Sequence, residues 1–115
     1  KSLLSWAKNN KGKIKIFNDV IKAATDSDVL FTDKIISMND KVNKSKKLKY
    51  FKKFKVTSKV MSYLKSSGIF LHCLPRGSEV SNEVFLGKQS KVWQQALNRI
   101  YVQKSILLYC FEKLR

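Results

Sequence analysis

Two polar segments, each directly after a short apolar run, carry the side chains best suited to chemistry. Asp33 and Ser37 follow residues 28–32, and Cys73 follows residues 69–71. If both runs are strands of one parallel sheet, their carboxyl ends lie at the same edge, where such sheets bind ligands. A carboxylate, a hydroxyl and a thiol would then converge, and carboxylates and thiols are groups that transfer protons in catalysis.

Each candidate residue also has an ordinary structural explanation. An aspartate just after a strand usually forms a turn or a cap, so Asp33 is more often structural than functional. Cys73 is either a small buried apolar residue or, beside polar groups, a reactive thiol of lowered pKa. His72 fits a structural histidine equally well, and Arg99 either binds an anion or makes a surface salt bridge. No one of these residues identifies a reaction.

Four segments have the sequence character of strands. Residues 13–17 alternate polar and apolar side chains, 28–32 and 69–72 are apolar runs typical of buried parallel strands, and 91–93 is a last short run. Helical segments separate these strands. The pattern predicts an α/β fold: a partial doubly wound parallel sheet of about four strands, flanked by helices and followed by a long C-terminal helix.

The predicted helices have apolar residues at helical spacing and polar residues that can cap their first turns. Asn18 or Asp19 caps one short helix, and Thr57 or Ser58 caps another. The last helix, over 94–114, is much longer than the others. Its apolar side consists of Ile100, Leu107, Leu108, Phe111 and Leu114.

The chain is strongly basic, with a formal net charge of +16 from 24 Lys plus Arg against 8 Asp plus Glu. Residues 41–55 hold eight lysines and no acid. This keeps a lysine-rich nucleic-acid-binding module as an alternative function. Only three of the basic residues are arginines, and phosphate recognition favours the forked guanidinium, so nucleic acid is the less favoured partner.

Length and cysteine content restrict the class of protein further. The 115 residues suffice for one core. Cys73 and Cys110 are far apart, and only His72 could join them as a soft ligand, so neither a metal site nor a disulfide framework is predicted. There is no apolar run of the roughly 20 residues that span a bilayer and no export signal. We expect a cytoplasmic protein with no membrane association.

The segment His72-Cys73-Leu74-Pro75, after its apolar strand, closely resembles the signature of ornithine carbamoyltransferases. Aspartate carbamoyltransferases have His-Pro-Leu-Pro there, so Cys73 favours an ornithine-type substrate. Further resemblances lie at matching distances in residues 27–33, 37–38, 77–87 and 98–99. Together they cover nearly the whole chain. Relatives that act on acetylornithine, succinylornithine or putrescine share the signature and stay open as alternatives.

The resemblance implies an ornithine-binding role for three residues after the first apolar run. Asp33 is expected to hold an amino group of ornithine. Ser37 and the main chain of Met38 are expected to hold the amino-acid end of the substrate. These residues would become ordered when the substrate binds.

The resemblance also implies that the reaction takes place at the signature. Cys73 would be the catalytic proton acceptor, Cys73 and Leu74 would contact carbamoyl phosphate, and Arg99 would contact it as well. Transfer of the carbamoyl group to ornithine gives citrulline and phosphate. It needs an uncharged δ-amine and a stabilised leaving phosphate, which suits a proton acceptor and a cation. No cofactor or metal is implied. The resemblance further implies a homotrimeric enzyme that acts in arginine biosynthesis or the urea cycle.

By this resemblance, residues 1–115 are the C-terminal part of the ornithine-binding domain without its first strand and helix, and the carbamoyl-phosphate domain is absent. We therefore expect the isolated chain to be inactive. Three positions depart from the family pattern: Ile35 replaces Trp, Asn39 replaces Gly, and Leu97 replaces a Glu before the Asn-Arg pair. The substrate loop is therefore expected to move differently.

Overall fold

The computed structural model describes residues 3–36 and 43–113. The helices are α1 (Leu3–Asn9), α2 (Val20–Ala24), α3 (Lys44–Phe51), α4 (Ser58–Met61), α5 (Asn82–Phe85) and α6 (Val92–Lys113). The strands are β1 (Val29–Thr32) and β2 (Ile69–His72). A 3₁₀ turn over Lys52–Phe54 follows α3 directly.

The two strands pair in parallel and in register, with Val29 opposite Ile69 and Thr32 opposite His72. Both segments were predicted as neighbouring strands of a parallel sheet, and the α/β class is confirmed. Because the last residues of the two strands are partners, Asp33 and Cys73 both lie just beyond the same edge of the sheet.

The prediction of about four strands was wrong for the part of the chain that the structure describes. Residues 13–17 form no strand, and Ile14 and Ile16 are exposed, because no neighbouring strand offers them a hydrogen-bonded ladder. Of residues 91–93, Val92 and Trp93 already belong to helix α6. Ser90, just before this range, makes only a single parallel bridge to Phe70.

The predicted helices correspond to observed ones, with small shifts at their ends. Asp19 caps α2, since its Oδ1 accepts a hydrogen bond from the N–H of Ile21 at 2.8 Å. Thr57 occupies the cap position of α4 without a side-chain hydrogen bond to the helix. The long helix α6 starts two residues earlier than predicted.

A small core fills the space between β2 and the short helices. Phe70 of β2 and Val92 at the start of α6 are fully buried in it. The other members of this cluster are Ala24, Val56, Val60, Met61, Leu64, Val80, Val84 and Phe85. Val92 is the only buried residue of α6, so this helix leaves the core after its first turn. None of the described helices is long and apolar enough to span a membrane.

Candidate functional site

Asp33 and Cys73, the residues that follow the two strands, are in direct contact. The Cys73 thiol donates a hydrogen bond to Asp33 Oδ1 with a distance of 2.6 Å from Sγ. The backbone N–H of Lys34 donates to the same oxygen at 2.6 Å. In-register pairing of β1 and β2 therefore brings together two side chains that are 40 residues apart in sequence.

This contact fixes which of the two groups carries the proton. Burial raises the pKa of the Cys73 thiol, and the hydrogen bond to Asp33 raises it further. The hydrogen bond from Cys73 and the one from the Lys34 backbone lower the pKa of Asp33. Asp33 is thus the carboxylate acceptor and Cys73 the neutral donor. The alternative that Cys73 has a lowered pKa was wrong, because burial and the hydrogen bond to the Asp33 carboxylate both raise it.

Cys73 lies between two clefts. It lines a cleft of about 570 Å³ together with Leu74 and Arg99, and its partner Asp33 lines another of about 380 Å³. The remaining lining residues of the first cleft are His72, Gln95, Ala96, Asn98 and Val102. Those of the second are Thr32, Lys34, Ile35, Lys47, Phe51, Phe54 and Glu79.

Helix α6 supplies one wall of the larger cleft. Its Gln95 side-chain oxygen accepts a hydrogen bond from the backbone N–H of His72 at 3.0 Å, which joins the helix to the end of β2. Arg99 is one helical turn further along and lines the same cleft as Cys73. Leu74, which also lines it, precedes Pro75 through a cis peptide bond. The cleft therefore combines a thiol and a guanidinium.

A buried pair that the sequence reasoning did not predict lies behind the site. His72 and Glu79 are 1% and 3% exposed, and His72 Nε2 lies 2.8 Å from Glu79 Oε1. The Gly77 backbone N–H also donates to Glu79. Burial alone would raise the pKa of Glu79, but the backbone donors at Gly77 and Glu79 and the His72 side chain outweigh it and hold that pKa below its usual value.

Comparison with known protein families decides what this site belongs to. A family model described as "Aspartate/ornithine carbamoyltransferase, Asp/Orn binding domain" matches residues 1–110. The chain belongs to this family. The resemblance predicted from the sequence signature is confirmed.

Relatives within the carbamoyltransferase family are similar to this chain over most of its length. The ornithine carbamoyltransferase of Methanococcus maripaludis strain C5 is 49% identical over 115 residues, which are 97% of this chain and 38% of that protein. The one from Methanocaldococcus jannaschii is 43% identical over 105 residues, or 90% of this chain and 34% of that protein. This chain therefore spans little more than a third of the length of such relatives.

Solved carbamoyltransferase structures have the same fold. The anabolic ornithine carbamoyltransferase from Campylobacter jejuni superposes with a TM-score of 0.83 at 36% identity, covering 96% of this chain and 37% of that one. The enzyme from Pyrococcus furiosus gives 0.78 at 34% identity, over 90% of this chain and 35% of that one. The α/β fold is thus that of ornithine carbamoyltransferases.

The structure places four of the six family site residues that the sequence predicted. Cys73, Leu74 and Arg99 line the larger cleft. Asp33 lines the other cleft and contacts Cys73. The other two, Ser37 and Met38, lie outside the described residues, as does Asn39. Of the other departures from the family pattern, Ile35 lines the Asp33 cleft and Leu97 is exposed on α6.

The described lysines of the basic segment are divided between this site and a separate surface. Those of residues 44–53 are on α3 and the 3₁₀ turn after it, and Lys55 follows the turn. Lys47 lines the cleft of Asp33 and acts electrostatically to lower the pKa of that carboxyl group. Three other lysines, Lys46, Lys49 and Lys53, line a separate cleft with Tyr50. The segment therefore has one lysine at the site and several facing solvent.

The Glu79 pair had a weak signal in the sequence. Glu79 is one of only two acids between residues 41 and 111, and it directly precedes a buried valine. A rare carboxylate in such a basic and apolar stretch is a weak signal of a specific partner. The sequence alone does not identify this partner as His72, because the two residues meet only through the path of the loop after β2.

Proposed function

We propose that this chain is the ornithine-binding portion of an ornithine carbamoyltransferase, the enzyme that converts carbamoyl phosphate and L-ornithine to L-citrulline and phosphate. The observation that supports this best is the Asp33–Cys73 contact beside a cleft lined by Arg99. A carboxylate or a thiol can bind or deprotonate an amine nucleophile, and a guanidinium can stabilise a phosphate leaving group.

The reaction needs one proton transfer and one displacement. The δ-nitrogen of ornithine, in its uncharged form, forms a bond to the carbonyl carbon of carbamoyl phosphate. The bond from that carbon to the phosphate oxygen breaks, and the phosphate leaves with the electron pair. The nitrogen then loses its extra proton, so a base must lie close to it, and a cation must lie close to the phosphate.

Asp33 and Cys73 are assigned to the ornithine amine: Asp33 binds it and Cys73 accepts its proton. Asp33 is an anion at neutral pH because its pKa is lowered by the donors from Cys73 and Lys34, so it attracts the ammonium group of ornithine. A substrate ammonium that takes the thiol's place at Asp33 removes one of the causes that raise the Cys73 pKa. Cys73 then becomes a better proton acceptor when substrate is bound than in the free chain.

Arg99 and Leu74 are assigned to carbamoyl phosphate, together with Cys73. All three line the cleft of about 570 Å³, and a guanidinium there stabilises the charge that develops on the leaving phosphate. Ser37 and Met38 are assigned to the amino-acid end of ornithine. Both follow β1 within six residues in the sequence, and both lie outside the described residues.

The remaining parts of the site are assigned to sequence outside this chain. The relatives are more than twice as long, and we propose that their additional length includes the carbamoyl-phosphate domain. We further propose that the complete protein is a cytoplasmic homotrimer of arginine metabolism.

Citrulline formation tests the proposal. The purified chain alone is expected to form no citrulline above the level of its Cys73→Ser variant. Co-expression with the part of the Methanococcus maripaludis strain C5 relative that this chain does not match is expected to restore activity. Replacing the carboxylate in Asp33→Asn should then reduce the rate by about 100-fold or more, the usual contribution of a proton-transfer or charge-stabilising group.

Matched controls come from the chain itself. Asp28→Asn changes an exposed aspartate that pairs only with Lys65 at the surface, and Cys110→Ser changes the exposed second thiol. Neither should reduce the rate. Activity that is unaffected by Asp33→Asn, or an assembly that prefers acetylornithine or putrescine to ornithine, would contradict the assignment.

A further inference from the structure

The edge of β2 that faces away from β1 ends its hydrogen bonding on a side chain. Along this edge the Phe70 N–H donates to the Gln89 carbonyl at 2.9 Å, and the Lys91 N–H donates to the Phe70 carbonyl at 2.9 Å. In a parallel ladder the next donor along β2 is two residues further on, and so is its acceptor on the neighbouring segment. The ladder therefore predicts a bond from the His72 N–H to the Lys91 carbonyl, and the structure has a different one.

Gln95 explains why that bond is replaced. Because α6 begins at Val92, the backbone N–H of Gln95 donates to the Lys91 carbonyl at 2.8 Å as part of the first helical turn. The side-chain oxygen of the same residue accepts the His72 N–H at 3.0 Å. His72 is 1% exposed, and a buried N–H without an acceptor is unfavourable. Gln95 thus occupies the backbone acceptor and supplies a side-chain acceptor in its place.

The two ends of this hydrogen bond are each close to a residue of the site. His72 directly precedes Cys73, and Arg99 follows Gln95 by four residues, which places both on the same side of the helix. Cys73, Gln95 and Arg99 line the same cleft of about 570 Å³. Beyond Val92, α6 has no buried residue in the described chain. The bond from Gln95 therefore joins the second turn of the helix to the strand end that carries the thiol.

We propose that Gln95 is a positioning residue that sets the separation of Cys73 and Arg99 by accepting the His72 N–H. Without this acceptor the N–H is left unpaired, and the second turn of α6 moves away from the end of β2. The importance of the separation for carbamoyl transfer rests on the proposed function, whereas the positioning itself does not.

Hydrogen exchange of the His72 amide, measured by NMR on the isolated chain, tests the bond. Gln95→Met keeps the length of the side chain and suits a helix, but it removes the acceptor. It is expected to speed exchange by about tenfold, the size expected for the loss of one hydrogen bond. Gln95→Glu keeps an oxygen acceptor and should leave exchange slow. Gln94→Met is the matched control, since Gln94 bonds only Asn98 of its own helix, at 2.8 Å.

Crosslinking measures the separation itself. A chain with Arg99→Cys and Cys110→Ser has thiols only at positions 73 and 99, and bis-methanethiosulfonate reagents of increasing length identify the shortest one that joins them. With that reagent, the crosslinked fraction should fall severalfold when Gln95→Met is added. Gln95→Glu and Gln94→Met should leave it unchanged.

Two results would overturn the proposal. One is a folded Gln95→Met chain in which the His72 amide exchanges as slowly as before or the crosslinked fraction does not fall. The other is a Gln95→Glu chain that is altered as much as the Gln95→Met chain, since the acceptor would then not be what matters. If Gln95→Met does not fold by circular dichroism, exchange in the unsubstituted chain decides. A His72 amide as slow as that of Phe70 supports the proposal, and one as fast as an unstructured amide rejects it.

The co-expressed assembly separates this inference from the proposed function. If it forms citrulline, Gln95→Met should lower kcat/KM for carbamoyl phosphate severalfold and change the KM for ornithine little, because Arg99 is assigned to the phosphate. Gln95→Glu should restore the rate, and Gln94→Met should not reduce it. If even the unsubstituted assembly is inactive, the proposed function fails. The exchange and crosslinking experiments still decide whether Gln95 positions the helix.

Discussion

At the scale of single residues, burial of Cys73 and its hydrogen bond to Asp33 make the thiol a weaker acid than a free cysteine. The folded chain holds the thiol proton more tightly than the unfolded chain does. This interaction therefore stabilises the fold at pH values below the unfolded pKa of Cys73, and the stabilisation is lost as the pH rises through the folded pKa.

The pH profile of Cys73 alkylation tests this protonation state. In the Cys110→Ser chain, we expect the midpoint of the rate profile to lie at higher pH than for the same thiol in urea, where both burial and the Asp33 contact are removed. Asp33→Asn should lower the midpoint in the folded chain only part of the way, because burial is the larger cause. Equal midpoints in buffer and in urea would contradict the raised pKa.

The sequence predicts the residues of the site as well as it predicts where the strands end. Asp33 and Cys73 follow short apolar runs, and the ends of adjacent parallel strands meet at one edge. The direction of the Cys73 pKa shift was not predictable, since it depends on which polar group the thiol contacts. Glu79 was missed for a similar reason. Its contacts with His72 and Gly77 depend on a loop whose path no sequence period describes.

At the scale of secondary structure, local pattern predicted helices better than strands. A helix such as α2 satisfies its own backbone and needs little more than a cap from Asp19. A strand needs a neighbour. Residues 13–17 have the alternation of a strand but no partner in the described chain, and Ser90 bridges Phe70 just before α6 begins. Pattern alone therefore predicted two strands too many.

The turn before β2 offers a test at this scale. A Cβ added at Gly68 would lie 2.8 Å from the Cβ of Leu64 and 2.9 Å from the backbone oxygen of Lys65. Gly68→Ala reduces the entropy of the unfolded chain, which is worth about 0.4–1 kcal/mol, but overpacking of this kind costs about 1–3 kcal/mol. We therefore expect a net decrease in the free energy of unfolding, measured in urea.

Ser67→Ala is the matched control for Gly68→Ala. It adds no atoms at the neighbouring exposed position and should change the stability by less than about 0.5 kcal/mol. A Gly68→Ala chain as stable as the Ser67→Ala chain would mean that Leu64 and the backbone of Lys65 move aside without cost.

At the scale of the whole molecule, most of α6 has no partner within the described chain. After Val92 its apolar side chains are exposed, including Ile100, Leu107 and Phe111 at 51%, 57% and 64%. Soluble monomers rarely expose a large continuous apolar surface. The same helix contributes Gln95 and Arg99 to the site, so its first two turns are fixed while the rest presents an apolar side to solvent.

We expect this apolar side to make the isolated chain associate with itself as its concentration rises. Replacing both Leu107 and Phe111 by Gln should reduce association in sedimentation velocity without lowering the melting temperature, because neither side chain is buried. Val92→Ala, on the same helix but fully buried, should do the opposite and lower the melting temperature.

Co-expression with the unmatched part of a relative should also reduce association if that part covers the helix. A chain that stays monomeric at all concentrations would show that α6 tolerates exposure of its apolar side.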